Sequence, residues 1–257
     1  MIKRDGHMHP NLLKKPHQGR EFIERAVELG FEEIVFTDHM PFSVTGDEHD
    51  RIPFGKVAEY CEEVRRLAEE YADRIRILTG IEIDYHPECT REIEEVLSSG
   101  SFDVILGSTH LDIKGFGIPF DKITRGEFAR LVFENYLAAA KSGYFHVMTH
   151  LDIYRWIFAA PEKFPLKDDS YVWRDCEDVL RQIFSVMEEK DIALEINAAP
   201  FYKGFGDAGA YPERGILELS REYKLNYVYG SDAHFTDKVG YAYGEFERFM
   251  DVSKSEE

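Results

Sequence analysis

The stretch Ile75-Arg76-Ile77-Leu78-Thr79-Gly80-Ile81-Glu82-Ile83 reads as a β-strand that carries Glu82 near its C-terminal end, with Asp84 following. Its β-branched density is what a buried strand requires. Residues near Lys56–Tyr71, before it, and near Thr90–Leu97, after it, carry a helical period instead. Strand and helix therefore alternate here, and the alternation recurs along the chain. Further strands are expected at Met1–His7, Ile34–Thr37, Phe102–Leu106, Phe145–Met148, Ala193–Ile196 and Tyr227–Tyr229. Further helices are expected near Gly19–Leu29, Glu127–Ala140, Cys176–Glu189, Ile216–Tyr223 and Glu245–Met250. In the first of these, Phe22, Ile23, Ala26, Val27 and Leu29 supply one apolar face that Gly30 closes. Seven such units predict an α/β architecture, either a closed or nearly closed barrel or an open doubly wound sheet. A barrel places its chemistry where strands end and the following loops begin.

Composition narrows the function classes. The chain has 257 residues, 44% of them hydrophobic, with no internal repeat, low-complexity tract or linker, so one domain over residues 1–257 is expected. A domain of this size hides roughly 70–75% of its unfolded surface and needs no covalent staple. Cys61, Cys89 and Cys176 are odd in number and lack C-x-x-C spacing, which disfavours a disulfide framework and a thiolate zinc site and fits a reducing cytoplasm. There is neither an apolar N-terminal run nor a stretch of about 18 apolar residues, so no membrane association is expected. With 31 Lys plus Arg against 49 Asp plus Glu, the net charge of −18 opposes contact with long nucleic acid. A small anionic substrate is compatible with it, because a few cations or a metal cluster reverse the potential inside one pocket.

The ten histidines carry the main signal. His7 and His9 alternate with Met8, so an extended backbone turns both imidazoles, and Asp5, to one side. His39 follows Phe36-Thr37-Asp38, and Glu82 sits in the quoted strand. His110 follows Gly107-Ser108-Thr109, His150 follows Met148-Thr149, and Gly230-Ser231-Asp232-Ala233-His234 closes the series. One strand-end histidine is most simply a hydrogen-bonded loop residue. Recurrence in five units instead points to a catalytic site for zinc, iron(II) or manganese, held by imidazole and carboxylate. Seven or more candidate ligands exceed one tetrahedral ion, so two or three ions with a bridging carboxylate are implied. His49, His86 and His146 read as surface or strand histidines, and Asp38 and Asp84 as residues that brace loops or ligands. Acidic helical runs such as Glu59–Glu70 read as solvated faces with pairs such as Glu62 and Arg66. Cys61 and Cys176 fall on expected helices, and no G-x-S-x-G, Walker A or G-x-G-x-x-G motif occurs.

Taken in order, Asp5-Gly6-His7-Met8-His9, Phe36-Thr37-Asp38-His39, Gly80-Ile81-Glu82, Gly107-Ser108-Thr109-His110, Thr149-His150-Leu151-Asp152 and Gly230-Ser231-Asp232-Ala233-His234 resemble the motifs of the polymerase-and-histidinol-phosphatase (PHP) superfamily. They are most similar to its histidinol-phosphatase branch, and Glu195-Ile196-Asn197 and Tyr211-Pro212 extend the match. The resemblance implies a distorted (β/α)7 TIM-like barrel with three divalent metal ions, zinc, manganese or iron. One ion would take His7, His9, Glu82 and Asp232, a second Glu82, His110 and His150, and a third His17, His39 and His234. The implied activity is phosphomonoester hydrolysis, on L-histidinol phosphate, by a metal-bridging hydroxide, with Asp232 also handling a proton and Arg155 and Lys203 contacting phosphate. Departures from the family pattern are Tyr202, Ala198-Ala199-Pro200, Phe235 and the long segment before His17. Rival readings are a phosphoesterase for nucleotides or another small ester, and a metal-binding protein without turnover.

Overall fold

The computed structural model describes residues 2–43, 51–111, 117–204 and 209–254. Seven strands form one parallel sheet in chain order: β1 (Arg4–Met8), β2 (Glu33–Phe36), β3 (Arg76–Asp84), β4 (Val104–Ser108), β5 (Val147–Met148), β6 (Ala193–Asn197) and β7 (Tyr227–Gly230). The last strand returns to the first. His9 N donates to Ala233 O at 2.8 Å and Asp232 N to His7 O at 2.9 Å, so the sheet curls into a nearly closed barrel. The open sheet is thereby excluded, and the TIM-like expectation holds.

Helices α1 (Pro16–Glu28), α2 (Val57–Glu70), α3 (Thr90–Ser99), α4 (Arg125–Ser142), α5 (Tyr154–Phe158), α6 (Glu177–Lys190), α7 (Ala199–Lys203), α8 (Arg214–Ser220) and α9 (Tyr243–Lys254) accompany the strands. Their starts and stops follow local chemistry. Thr124 Oγ1 accepts from Glu127 N while the Glu127 carboxylate accepts from Thr124 N, and Gly143, with φ 82°, ends the same helix. The short α5 and α7 were not expected, because five residues make too little of a turn for periodicity to register. None of the described helices is long and apolar enough to cross a membrane.

Alternation along the strands sorts the core into two parts. Met8, Ile34, Phe36, Ile81, Ile83, Leu194 and Ile196 pack outward against the helices. Val35, Leu78, Val104, Leu106, Val147, Ala193 and Val228 form a separate cluster inside the barrel. Below that plug, buried Glu33 pairs with Arg4 at 2.9 Å and Arg76 at 3.0 Å. Above it, the same inward parity that turns Leu78 into the barrel turns Glu82 toward the upper mouth. The plug gives the polar residues above it a dry floor.

Several surface expectations are settled here. Arg66 pairs with Glu63 and Glu70 and not with Glu62, since the rotamer it takes reaches the i−3 and i+4 carboxylates. His86 Nδ1 accepts from Glu88 N, and His146, exposed just before β5, accepts from Ile105 N at 3.0 Å. His49 lies outside the described residues.

Barrel closure rests on Asp5, whose buried carboxylate accepts from Ser231 N at 3.0 Å and Gly240 N at 3.1 Å. Replacing it by Ala leaves those backbone donors unpaired, which costs on the order of 2–3 kcal/mol. Chemical denaturation of Asp5→Ala should show a correspondingly lower midpoint, and an unchanged midpoint would show that closure does not depend on this carboxylate.

Candidate metal centre

Glu82 is the point on which the upper layer converges. Its side chain is fully buried on β3. Oε2 lies 3.2 Å from His7 Nε2, 3.2 Å from His9 Nε2 and 3.1 Å from His39 Nδ1. Oε1 lies 2.9 Å from His150 Nε2 and 3.9 Å from His110 Nδ1. Five histidines from four strand ends thus surround one carboxylate. Asp232 Oδ1 adds a second acidic donor 3.5 Å from His9 Nε2, and His9 stacks between His39 and His234 with ring centroids 4.3 and 4.4 Å away.

Donor chemistry and spacing fit divalent cations. Ions that sit about 2.0–2.2 Å from nitrogen and oxygen ligands hold neighbouring donors roughly 3–3.5 Å apart. That is the spacing around Glu82. Among the described residues, His7, His9 and Glu82 form one group of close donor atoms, His39, Glu82, Asp84 and His110 another, and His9, His39 and His234 a third. The buried His39 Nδ1 is near Glu82 without a hydrogen-bond geometry to any partner, and His9 Nδ1 is also unpartnered.

Electrostatics readies these groups as ligands. Burial favours a neutral Glu82, but the His39 and His7 rings outweigh it and hold the acid well below the usual range. Asp232 is likewise held low against its burial, chiefly by the Lys203 ammonium. Burial pushes His39 well below the ordinary imidazole value and His234 down to about 4, so both keep lone pairs at neutral pH. His7 differs: burial opposes its cation, yet Glu195 and Glu82 together raise its pKa well above the ordinary value.

Bracing residues orient the rings. Glu195 Oε1 holds His7 Nδ1 at 2.6 Å, while its Oε2 accepts from His150 N at 2.9 Å and Asn197 Nδ2 at 3.0 Å. Room for that carboxylate exists because residue 230 is glycine, where an added Cβ would stand 1.9 Å from Glu195 Oε1. Asp84 Oδ1 holds His110 Nδ1 at 2.5 Å, and its Oδ2 is 2.6 Å from Arg51 Nη2. Asp38 fixes the loop after β1, accepting from Asn11 N and Leu12 N at 2.8 Å each. Such partners set which ring nitrogen carries the proton and which faces a cation.

Beside the cluster opens a cavity of about 300 Å³, where Ile153, Trp156, Lys203 and Tyr211 join the acidic and histidine donors. Lys203 Nζ lies 3.3 Å from Asp232 Oδ2. The structure brings His7, His9, His39, Glu82, His110, His150, Asp232 and His234 together, but two expected residues stand apart. His17 is exposed as the second residue of α1 and belongs to none of the donor groups. Pro16 starts that helix, and the helical turn carries Gln18 inward in its place, where Nε2 donates to His234 O at 2.8 Å. Arg155 does not line the cavity. Its guanidinium sits 4.8 Å over the Tyr211 ring, bound to Asp152 at 2.9 Å and to the carbonyls of Ala210 and Gly209, so it backs the wall.

Sequence reasoning assigned no role to Glu195, Arg51, Gln18 or the Tyr202 hydroxyl. Glu195 left a trace, an acidic residue with inward parity in an otherwise apolar strand. Arg51 left none, being in a loop without period. Glu195→Gln removes the charge that supports His7, and metal affinity should fall about 10- to 100-fold. Metal retained after dialysis against a competing chelator measures it, and wild-type retention would contradict this bracing role.

The PHP domain matches residues 5–199, and a PHP-associated segment matches 214–255. A Deinococcus radiodurans protein named probable histidinol-phosphatase is 29% identical over 248 residues, covering 94% of this chain and 90% of that protein. The histidinol-phosphatase of Bacillus subtilis is 28% identical over 96% of this chain and 98% of its own length. Among solved structures, histidinol phosphate phosphatase from Lactococcus lactis, complexed with zinc, L-histidinol and phosphate, superimposes with a TM-score of 0.75 at 23% identity, covering 96% of this chain and 93% of that one. A putative histidinol phosphatase from Listeria monocytogenes gives 0.72 at 23% identity, over 95% of this chain and 100% of that one. With the barrel, the converging histidines and the match over residues 5–199 all in agreement, the chain belongs to the PHP domain family.

Proposed function

We propose that this protein is a metal-dependent phosphomonoesterase that hydrolyses L-histidinol phosphate to L-histidinol and phosphate. The observation that carries the reading is the single buried carboxylate of Glu82, flanked on both oxygens by histidine nitrogens. The names of the Deinococcus and Bacillus relatives, and the ligands of the Lactococcus structure, support the substrate. Residues 1–257 act as one catalytic unit in this proposal, and three buried free thiols suit a cytoplasmic setting.

Three divalent ions, zinc, manganese or iron, are assigned to the donors. His7, His9, Glu82 and Asp232 would hold one, and Glu82, His110 and His150 a second. His39 and His234 would hold the third; His9 lies with them in one donor group but gives its single lone pair to the first ion, and the exposed His17 stands outside that group. When bound, such ions supply Lewis acidity toward phosphoryl oxygens and make water nucleophilic near neutral pH.

The chain's own residues then divide the remaining tasks. Lys203, the one cation among the described lining residues, offers Nζ to a non-reacting phosphate oxygen. Asp232, ionised and 3.3 Å from that ammonium, is placed to receive the proton of the attacking water at Oδ2. Ile153, Trp156 and Tyr211 exclude bulk water and receive the organic half of the ester, with Arg155 fixing Tyr211 from behind. One lysine in a small cavity, on a chain with net charge −18, suits a small monoester and not a polymer.

Phosphate release from metal-replete protein, across a panel of monoesters including nucleotides, tests the reading. L-Histidinol phosphate should be turned over best, and a chelator should abolish the activity. Robust turnover of another ester with none of this one would remove the named substrate. Glu82→Gln should lower bound metal and rate together by orders of magnitude, and wild-type metal content in that variant would overturn the shared-ligand assignment. Lys203→Ala should raise KM about tenfold at unchanged metal content, whereas an unaltered KM would remove the phosphate contact.

A further inference from the structure

We infer that Tyr202 is a positioning residue, which sets the two donors Asp232 and His234 through a single backbone carbonyl. The inference rests on the metal-centre reading above and assigns to that site a residue outside its donor groups. Tyr202 stands on α7, and its Oη donates to Asp232 O at 2.7 Å. The same carbonyl lies 3.0 Å from His234 Nδ1. A carbonyl oxygen has two lone pairs, and here a phenol and an imidazole N–H take one each.

Two consequences follow. With its Nδ1 proton committed to Asp232 O, the His234 ring turns the Nε2 lone pair toward a cation. Asp232 itself has φ 54°, a left-handed conformation that is uncommon outside glycine though more accessible to Asp than to most residues. Asp232 N donates to His7 O and Tyr202 grips its carbonyl, so both ends of this residue are tied. The carboxylate is then carried toward His9 and Lys203 on a fixed backbone. Tyr202 is itself held, its ring 5.4 Å from Tyr241 in an edge-on contact.

The test is zinc titration of metal-stripped protein against a competing chelator, for the wild type and Tyr202→Phe, which deletes the hydroxyl and keeps the ring. The variant should bind its weakest-held zinc about 10- to 100-fold less tightly. The thermal midpoint of its metal-free form should stay within about 2 °C of wild type. In the metal-loaded state kcat per folded, zinc-loaded site should fall with KM for L-histidinol phosphate nearly unchanged, the folded fraction being fixed by circular dichroism because partial unfolding alone also lowers apparent kcat. Tyr202→Met, which fills the space with an apolar chain, should show the same loss of zinc affinity, and serves if the Phe variant does not fold. Wild-type zinc affinity in a folded variant overturns the inference while leaving the metal centre in place. A wild-type protein that takes up no zinc, manganese or iron overturns the metal centre itself and the inference with it.

Discussion

One buried carboxylate governs this molecule. Glu82 is withdrawn from water beside a second acid, Asp232, and a negative charge so placed is very costly unless cations or strong donors meet it. Burial keeps the His39 and His234 rings neutral, and His7, whose cation Glu195 and Glu82 favour, answers only part of that charge. The same geometry that leaves the charge under-compensated makes the site a strong ligand for divalent ions, so binding and folding are coupled through it. Most of the barrel can be understood as support for that arrangement: an apolar plug below, Asp5 closing the sheet at one side, and the Tyr60 hydroxyl within 2.9 Å of Phe36 O and 3.0 Å of Gly80 O beneath the neighbouring strand ends.

Strand parity explains why much of this was legible from sequence. Period-two alternation places Leu78 and Glu82 on one face, so once the strand is recognised the direction of the acid follows. Each strand boundary fell within a few residues of expectation, because the β-branched runs are short and bounded by polar loops. The histidines at the ends of β1, β4 and β5 and beyond β7 meet because parallel strands bring all their C-terminal ends to one rim.

What sequence could not supply was the direction of side chains on irregular backbone. His17 was assigned by motif order, but the helix that begins at Pro16 rotates it to solvent and turns Gln18 inward. Arg155 was assigned by its distance from His150, yet Asp152, three residues before it, captures the guanidinium and the Tyr211 ring stands in front. The ion pair of Arg51 with Asp84, which in turn holds His110, and the pair of His7 with Glu195 join segments far apart in the chain. No local period announces such contacts. Tyr202, in sequence a departure from the family pattern, has a partner that only the folded backbone reveals.

The central claim is that cations share Glu82. Crystals of the protein grown with manganese or zinc, with anomalous diffraction recorded at the metal's absorption edge, test it most directly. The account predicts separate anomalous peaks on either side of the Glu82 carboxylate, each within coordination distance of one of its oxygens and of His7, His9, His110 or His150. Peaks confined to surface carboxylates, with none between Glu82 and those rings, would contradict it.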